Sequence, residues 1–155
     1  MDVVAAFLAG DLDVEIYIEQ PKGFKKGTED DDLVCLLDKG LYGLKQSAWV
    51  WNSKIRRMLL CNGYRQTHSD HCVYVRPVTK VIIAIWVDDL IIAGKNMKDI
   101  EELKCQLSKE FEMKDMGELK YFLRIQVLRN QEQRQIHINP LSDLKCTQFY
   151  APDPI

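Results

Sequence analysis

Polar and apolar residues alternate along this chain with two different periods. Glu15 to Glu19 alternates strictly, the period of a half-buried strand, and Pro21 and Gly23 close it. From Ala48 the apolar residues Ala48, Trp51, Ile55, Met58 and Leu59 recur at helical spacing until Asn62-Gly63. Cys72 to Val75 and Val81 to Trp86 predict two strands joined near Pro77, and Leu90 to Ala93 predicts a third. A second helix is expected from about Lys98 to Glu112, with Ile100, Leu103, Leu107 and Phe111 on one face. Asn96 suits its N-cap, and the Asp99 carboxylate suits its first turn. Gln126 to Leu128 and Gln135 to Ile138 predict a late hairpin, and Val3 to Leu8 reads as a strand at the start.

Neighbouring strands joined by short turns must pair antiparallel. The expected class is therefore α+β, an antiparallel sheet with helices packed on one face. A length of 155 residues suits one domain with a real core. No apolar run reaches the length of a membrane span, and the start lacks the order of a signal peptide. Five widely spaced cysteines, with no CxxC, read as free thiols in a reducing compartment. Lys25 to Asp32 reads as a charged, solvated loop, and Ala151 to Ile155 as an irregular tail. Both ends look abrupt, as in a piece of a longer polypeptide. A net charge of −2 gives no global attraction to a nucleic-acid backbone.

The chemistry concentrates in Ile83 to Gly94, where Asp88-Asp89 interrupts two strongly apolar runs. Unpaired burial of two carboxylates would cost several kcal/mol, on the order of the known penalty for buried charge. They either form a hairpin turn facing water or bind cations. A second acidic residue, Asp2, leads into the first apolar run. If the two strands are neighbours, Asp2 joins the pair in one acidic cluster suited to two Mg²⁺ ions, which favour carboxylate and phosphate oxygens. Two such ions can activate an attacking hydroxyl and hold a leaving pyrophosphate.

The blocks DVVAAFLAGDLDVEIYIEQPKGF, LYGLKQSAWVW, SDHCVYV, WVDDLIIAG and FEMKDMGELKYFLRIQV follow one another in this order. Together they resemble copia-type retrotransposon reverse transcriptases, from Asp2 to about Ile138. The resemblance implies a palm-like segment over 1–138, with the family's fingers region missing, and a divergent C-terminal tail over 139–155. It implies an RNA-directed DNA polymerase that takes an RNA template, a DNA primer and deoxynucleoside triphosphates. The cofactor would be two Mg²⁺ ions, with Mn²⁺ as a substitute. Asp2, the backbone carbonyl of Val3 and Asp88 match the metal ligands, and Asp89 completes the catalytic pair. Phe7 matches the bulky residue that rejects a ribose 2′-hydroxyl. Leu41, Tyr42, Gly43, Lys45 and Gln46 match the segment against the templating base and incoming nucleotide, with Trp86 beside the paired aspartates. Phe122, Leu123 and Arg124 fall in the hairpin that grips the primer end. The parent would be a Pol polyprotein in the cytoplasm, packaged in a virus-like particle, neither secreted nor membrane-bound.

The sequence also departs from the family pattern. Trp86 replaces a Tyr, Ser47 to Val50 replace a Pro-containing stretch that carries a cation and an amide, and Arg124 replaces a Gly. These changes keep open a second reading, a non-catalytic relic with the fold alone. A nucleotide cyclase, also built on an acidic palm, is disfavoured by the LYGLKQ block and the late hairpin. His68 to Cys72 lacks the spacing of zinc ligands, and Cys72 reads as a small core residue. Trp51 reads as core and Trp49 as exposed. Lys45, Lys54, Arg56 and Arg57 form the one notable basic group, open to phosphate or to solvent.

Overall fold

In the computed structural model the described residues are 1–140, except 11, 13 and 27–32. The charged loop falls largely on 27–32, and the tail from 141 onward also lies outside them. The chain forms two compact units, Met1–Asp115 and Met116–Ile155. No helix among the described residues is long and apolar enough to cross a membrane.

The first unit opens with β1 (Asp2–Val3), a 3-10 turn (Ala6–Ala9), β2 (Tyr17–Glu19) and β3 (Val34–Leu36). Helix α1 (Lys45–Cys61) follows, then β4 (Arg65–Gln66), β5 (Val73–Val75), β6 (Ile82–Trp86) and β7 (Asp89–Ala93). Helix α2 (Met97–Glu110) and β8 (Met113–Lys114) complete it. The main sheet has the order β4-β5-β6-β7-β1-β8, and every pairing in it is antiparallel. The class is α+β, as the short turns required.

One face of this sheet is apolar and covered. Tyr74, Ile83, Ile85, Leu90 and Val3 are buried in the same cluster as Trp51, Ile55, Met58 and Leu59 of α1 and Leu103 and Leu107 of α2. Successive strand residues face opposite ways. The registers Trp86↔Asp89 and Asp2↔Asp89 therefore put Trp86, Asp89 and Asp2 on the other face, away from that core.

Three expectations need correction. The first strand ends at Val3, because Ala5 turns into the left-handed region (φ 52°) and the chain curls to bury Ala6 and Phe7. Helix α1 starts at Lys45, so its inward stripe begins at buried Ser47 while Ala48 is exposed. The backbone fits closely there: a Cβ on Gly40 would meet Ser47 Oγ at 2.5 Å. Cys72 is exposed, not core, because β5 begins one residue later and the Cys72 N–H is taken by Asp70 Oδ1 in a turn.

In the second unit β9 (Tyr121–Phe122), β10 (Ile125–Asn130) and β11 (Gln135–Pro140) form an antiparallel sheet of order β11-β10-β9. The hairpin is longer than the periodicity predicted. None of its described residues is fully buried.

Candidate active site

The site is built around the turn between β6 and β7. Because Trp86 pairs with Asp89, the loop is two residues, Val87 and Asp88. A two-residue hairpin needs a positive φ at its first loop position, and Val87 has φ 52°. That is a costly conformation for a β-branched residue. It persists because two neighbours hold the turn. The Trp51 indole N–H donates to the Val87 carbonyl at 2.8 Å, and the Val3 N–H donates to the Asp88 carbonyl at 2.9 Å. Strained backbone survives where the surroundings over-determine it, and such places cluster at functional sites.

The same pairing makes the three acids neighbours along the backbone. Asp2 lies directly across from Asp89, and Asp88 follows in the turn. Directly opposed like charges disfavour each other. Burial, and then the charges of Asp2 and Asp88, push the Asp89 carboxyl above the ordinary carboxylate range.

Asp88 is closed on both sides. Its Oδ1 is buried without a hydrogen-bond partner. Its Oδ2 accepts a 2.6 Å hydrogen bond from the Tyr42 hydroxyl. That bond, with smaller contributions from burial and from the charges of Asp88 and Asp2, pushes the Tyr42 phenol up to about 12. The Tyr42 ring also meets the Phe7 ring edge-on, with centroids 4.5 Å apart.

The structure thus brings Asp2, Val3, Phe7, Tyr42, Asp88 and Asp89 together. Leu41 and Gly43 flank Tyr42, and Gly43 carries the positive φ (95°) that its turn requires. Lys45 and Gln46 are exposed at the first two positions of α1, and Trp86 is half-exposed at the end of β6. Phe122, Leu123 and Arg124 belong to the second unit. There Leu123 (φ 47°) and Arg124 (φ 63°) form the tight turn between β9 and β10. Arg124 therefore occupies a left-handed position that favours glycine.

Two residues had a role the sequence did not reveal. Trp51 read as core, and it is, but it also anchors the acidic turn. Tyr42 read as a nucleotide contact, while its bond to Asp88 joins residues 46 apart. For Trp51, an indole at the first full turn of a core stripe was the available signal, because a buried indole N–H needs an acceptor.

The donor set of Asp2, Asp88 and Asp89 fits a hard divalent cation in kind, being all carboxylate oxygen. The orphaned Asp88 Oδ1 is an acceptor that such an ion would satisfy. As the side chains stand, no group of three or more His, Cys, Asp or Glu among the described residues is gathered to hold a metal ion.

Residues 1–143 match the family described as "Reverse transcriptase (RNA-dependent DNA polymerase)". The chain is 39% identical over 142 residues to the retrovirus-related Pol polyprotein from transposon TNT 1-94 of Nicotiana tabacum, covering 90% of this chain and 11% of that protein. It is 36% identical over 129 residues to a putative transposon Ty5-1 protein of Saccharomyces cerevisiae, covering 82% of this chain and 42% of that protein. It is 37% identical over 131 residues to the Pol polyprotein from transposon RE1 of Arabidopsis thaliana, covering 83% of this chain and 9% of that protein. This chain spans less than half the length of each of these relatives. No solved structure matches it. The chain belongs to the reverse transcriptase (RNA-dependent DNA polymerase) family, and within it to the copia-type retrotransposon branch.

Proposed function

We propose that this chain is the palm-like, metal-binding part of an RNA-directed DNA polymerase, which adds deoxynucleotides to a primer on an RNA template. The supporting observation is the β1–β7 register, which sets Asp2 opposite Asp89 beside Asp88 and its unmatched Oδ1. Asp2, Asp88 and the Val3 carbonyl would hold two Mg²⁺ ions, or Mn²⁺ in their place. When bound, the ions would supply charge stabilisation for the attacking and leaving oxygens. Phe7 would set the steric limit at the sugar, and the segment from Leu41 to Gln46 would face the base pair being formed.

The isolated chain is expected not to extend a primer at a useful rate. Aligning the reactants can account for roughly 7–11 kcal/mol of a barrier. Two positioning features are altered here. Ala48, Trp49 and Val50 replace the family's template-side residues. Arg124 takes a strained position in the expected primer hairpin. These two observations favour the relic as the second reading. The test is primer extension on an RNA template with Mg²⁺ and then Mn²⁺, against Asp88→Asn/Asp89→Asn. Extension lost in the double variant establishes the chain as a polymerase in its own right. No extension, with metal still bound at Asp88, fits the relic. Extension that survives the double variant overturns the site.

A further inference from the structure

The acidic cluster is closed by one side chain. Of the two Asp88 carboxylate oxygens, one is buried and the other is taken by the Tyr42 hydroxyl. A cation that satisfies the buried Oδ1 meets the Tyr42 hydroxyl on the other oxygen of the same carboxylate. Tyr42 is also the side chain lying edge-on to Phe7, which is itself buried. The proposed metal ligand and the proposed sugar-contacting residue thus share one cover.

The cover is exposed and stands outside the core. Tyr42 is 56% exposed and contributes nothing to the buried core cluster. It stands in a turn closed by the Leu44 N–H donating to the Leu41 carbonyl at 3.3 Å. The next residue, Gly43, has φ 95° and nothing within 4 Å of the position a Cβ would take. The Tyr42 side chain contacts Phe7 and Asp88, neither of which belongs to α1. The turn beneath it is fixed, since Trp51 and Val3 hold the carbonyls of Val87 and Asp88. A carboxylate carried on a backbone-anchored turn under an exposed donor is the arrangement of a latch.

We infer that Tyr42 is a metal-responsive latch: its hydroxyl holds Oδ2 of the same Asp88 carboxylate whose unmatched Oδ1 a divalent cation would satisfy, and binding swings the phenol away from both Asp88 and Phe7. The driving force is electrostatic. One phenol hydrogen bond leaves three neighbouring carboxylates mutually repelling, whereas a divalent ion neutralises them. Without metal the bond satisfies one of the two Asp88 oxygens and keeps the Phe7 ring covered. With metal the same swing opens the sugar-facing side, so cation binding and access to Phe7 are one event. This inference rests on the metal-site reading above and adds a coupling to it.

The test is a Mn²⁺ titration of the full chain, with free Mn²⁺ read by electron paramagnetic resonance, for wild type, Tyr42→Phe and Asp88→Asn. Tyr42→Phe keeps the ring and removes the donor that competes with the ion. Its affinity is expected to rise roughly three- to tenfold, from the net worth of one hydrogen bond. Tyr42→Leu removes the ring as well and is expected to bind at least as tightly. An ultraviolet difference spectrum on adding Mn²⁺ is expected to show a phenol losing its carboxylate partner in wild type and to lose that feature in Tyr42→Phe. If Tyr42→Phe binds equally or more weakly while wild-type binding still depends on Asp88, the latch is overturned and the metal site stands. A wild-type difference spectrum without the phenol feature overturns the latch in the same way. If neither wild type nor Tyr42→Phe binds Mn²⁺, the site reading fails and the latch fails with it.

Discussion

Two hairpin turns in this chain carry the same kind of strain and hold it differently. The turn at Val87-Asp88 has a β-branched residue at φ 52°, and the turn at Leu123-Arg124 has two side-chain-bearing residues at φ 47° and 63°. The first is fastened from outside the hairpin, by an indole N–H of α1 and a backbone N–H of β1. The second lies in a sheet with no fully buried residue, so its own ladder is what keeps it in shape. Strain backed by independent anchors fixes the carboxylates, whereas strain without them is a plain loss of stability. The first turn is held in place by two other elements, and the second places Arg124 where glycine is favoured.

The largest way to break the comparison is to remove the anchor. Trp51 is 2% exposed and meets Phe111 edge-on at 5.0 Å. Trp51→Ala is expected to cost about 3–5 kcal/mol in urea unfolding, enough to unfold a marginal domain. Trp51→Phe keeps most of the ring and removes the N–H, so it is expected to cost about 1–2 kcal/mol through the unpaired Val87 carbonyl. In the Trp51→Phe background, Val87→Gly should recover ~1 kcal/mol, because the strain no longer has its anchor to offset it. Equal effects of Val87→Gly in both backgrounds would break the link between anchor and strain.

The second turn predicts the opposite sign. Arg124→Gly is expected to stabilise the second unit by about 1 kcal/mol, less the entropy that glycine adds to the unfolded chain. Slower hydrogen exchange at the β10 and β11 amides would show it. Faster exchange there would mean that Arg124 makes a compensating interaction.

A smaller effect sharpens the view of the acidic turn. The folded state raises the Asp89 pKa, so it holds a proton to higher pH than the unfolded chain does. The resulting penalty is absent below the ordinary carboxyl value of 3.8, grows as pH rises, and is complete above the folded value. Asp89→Asn removes it. The variant should therefore melt higher than wild type at neutral pH, and the gain should vanish in acid. The smallest effect is expected on the surface. Lys104→Ala breaks a 2.8 Å ion pair with half-exposed Asp115 and should cost less than about 1 kcal/mol.

Much of the fold was legible because its core is periodic. The stripe at Trp51, Ile55, Met58 and Leu59 and the alternation through Ile83 and Ile85 both reach one buried cluster. The first strand was misread because apolar content alone does not distinguish a strand from a curl that buries Phe7, and the left-handed Ala5 leaves no mark in sequence. Cys72 was misplaced by one residue of strand boundary. At the site, the acids were legible as residue types between apolar runs. Their mutual placement was expected only on the condition that the two strands are neighbours, and it depends on β1 inserting between β7 and β8. The Tyr42–Asp88 bond joins two loops and carries no local pattern at all.

The central claim is that Asp2, Asp88 and Asp89 form one cation site on the open face of the sheet. Paramagnetic broadening by substoichiometric Mn²⁺, followed residue by residue in amide NMR spectra, tests it most directly. The expected result is broadening centred on residues 2–3 and 87–89, reaching Tyr42, and absent in Asp88→Asn. Broadening centred elsewhere in the chain, or unchanged in Asp88→Asn, would contradict it.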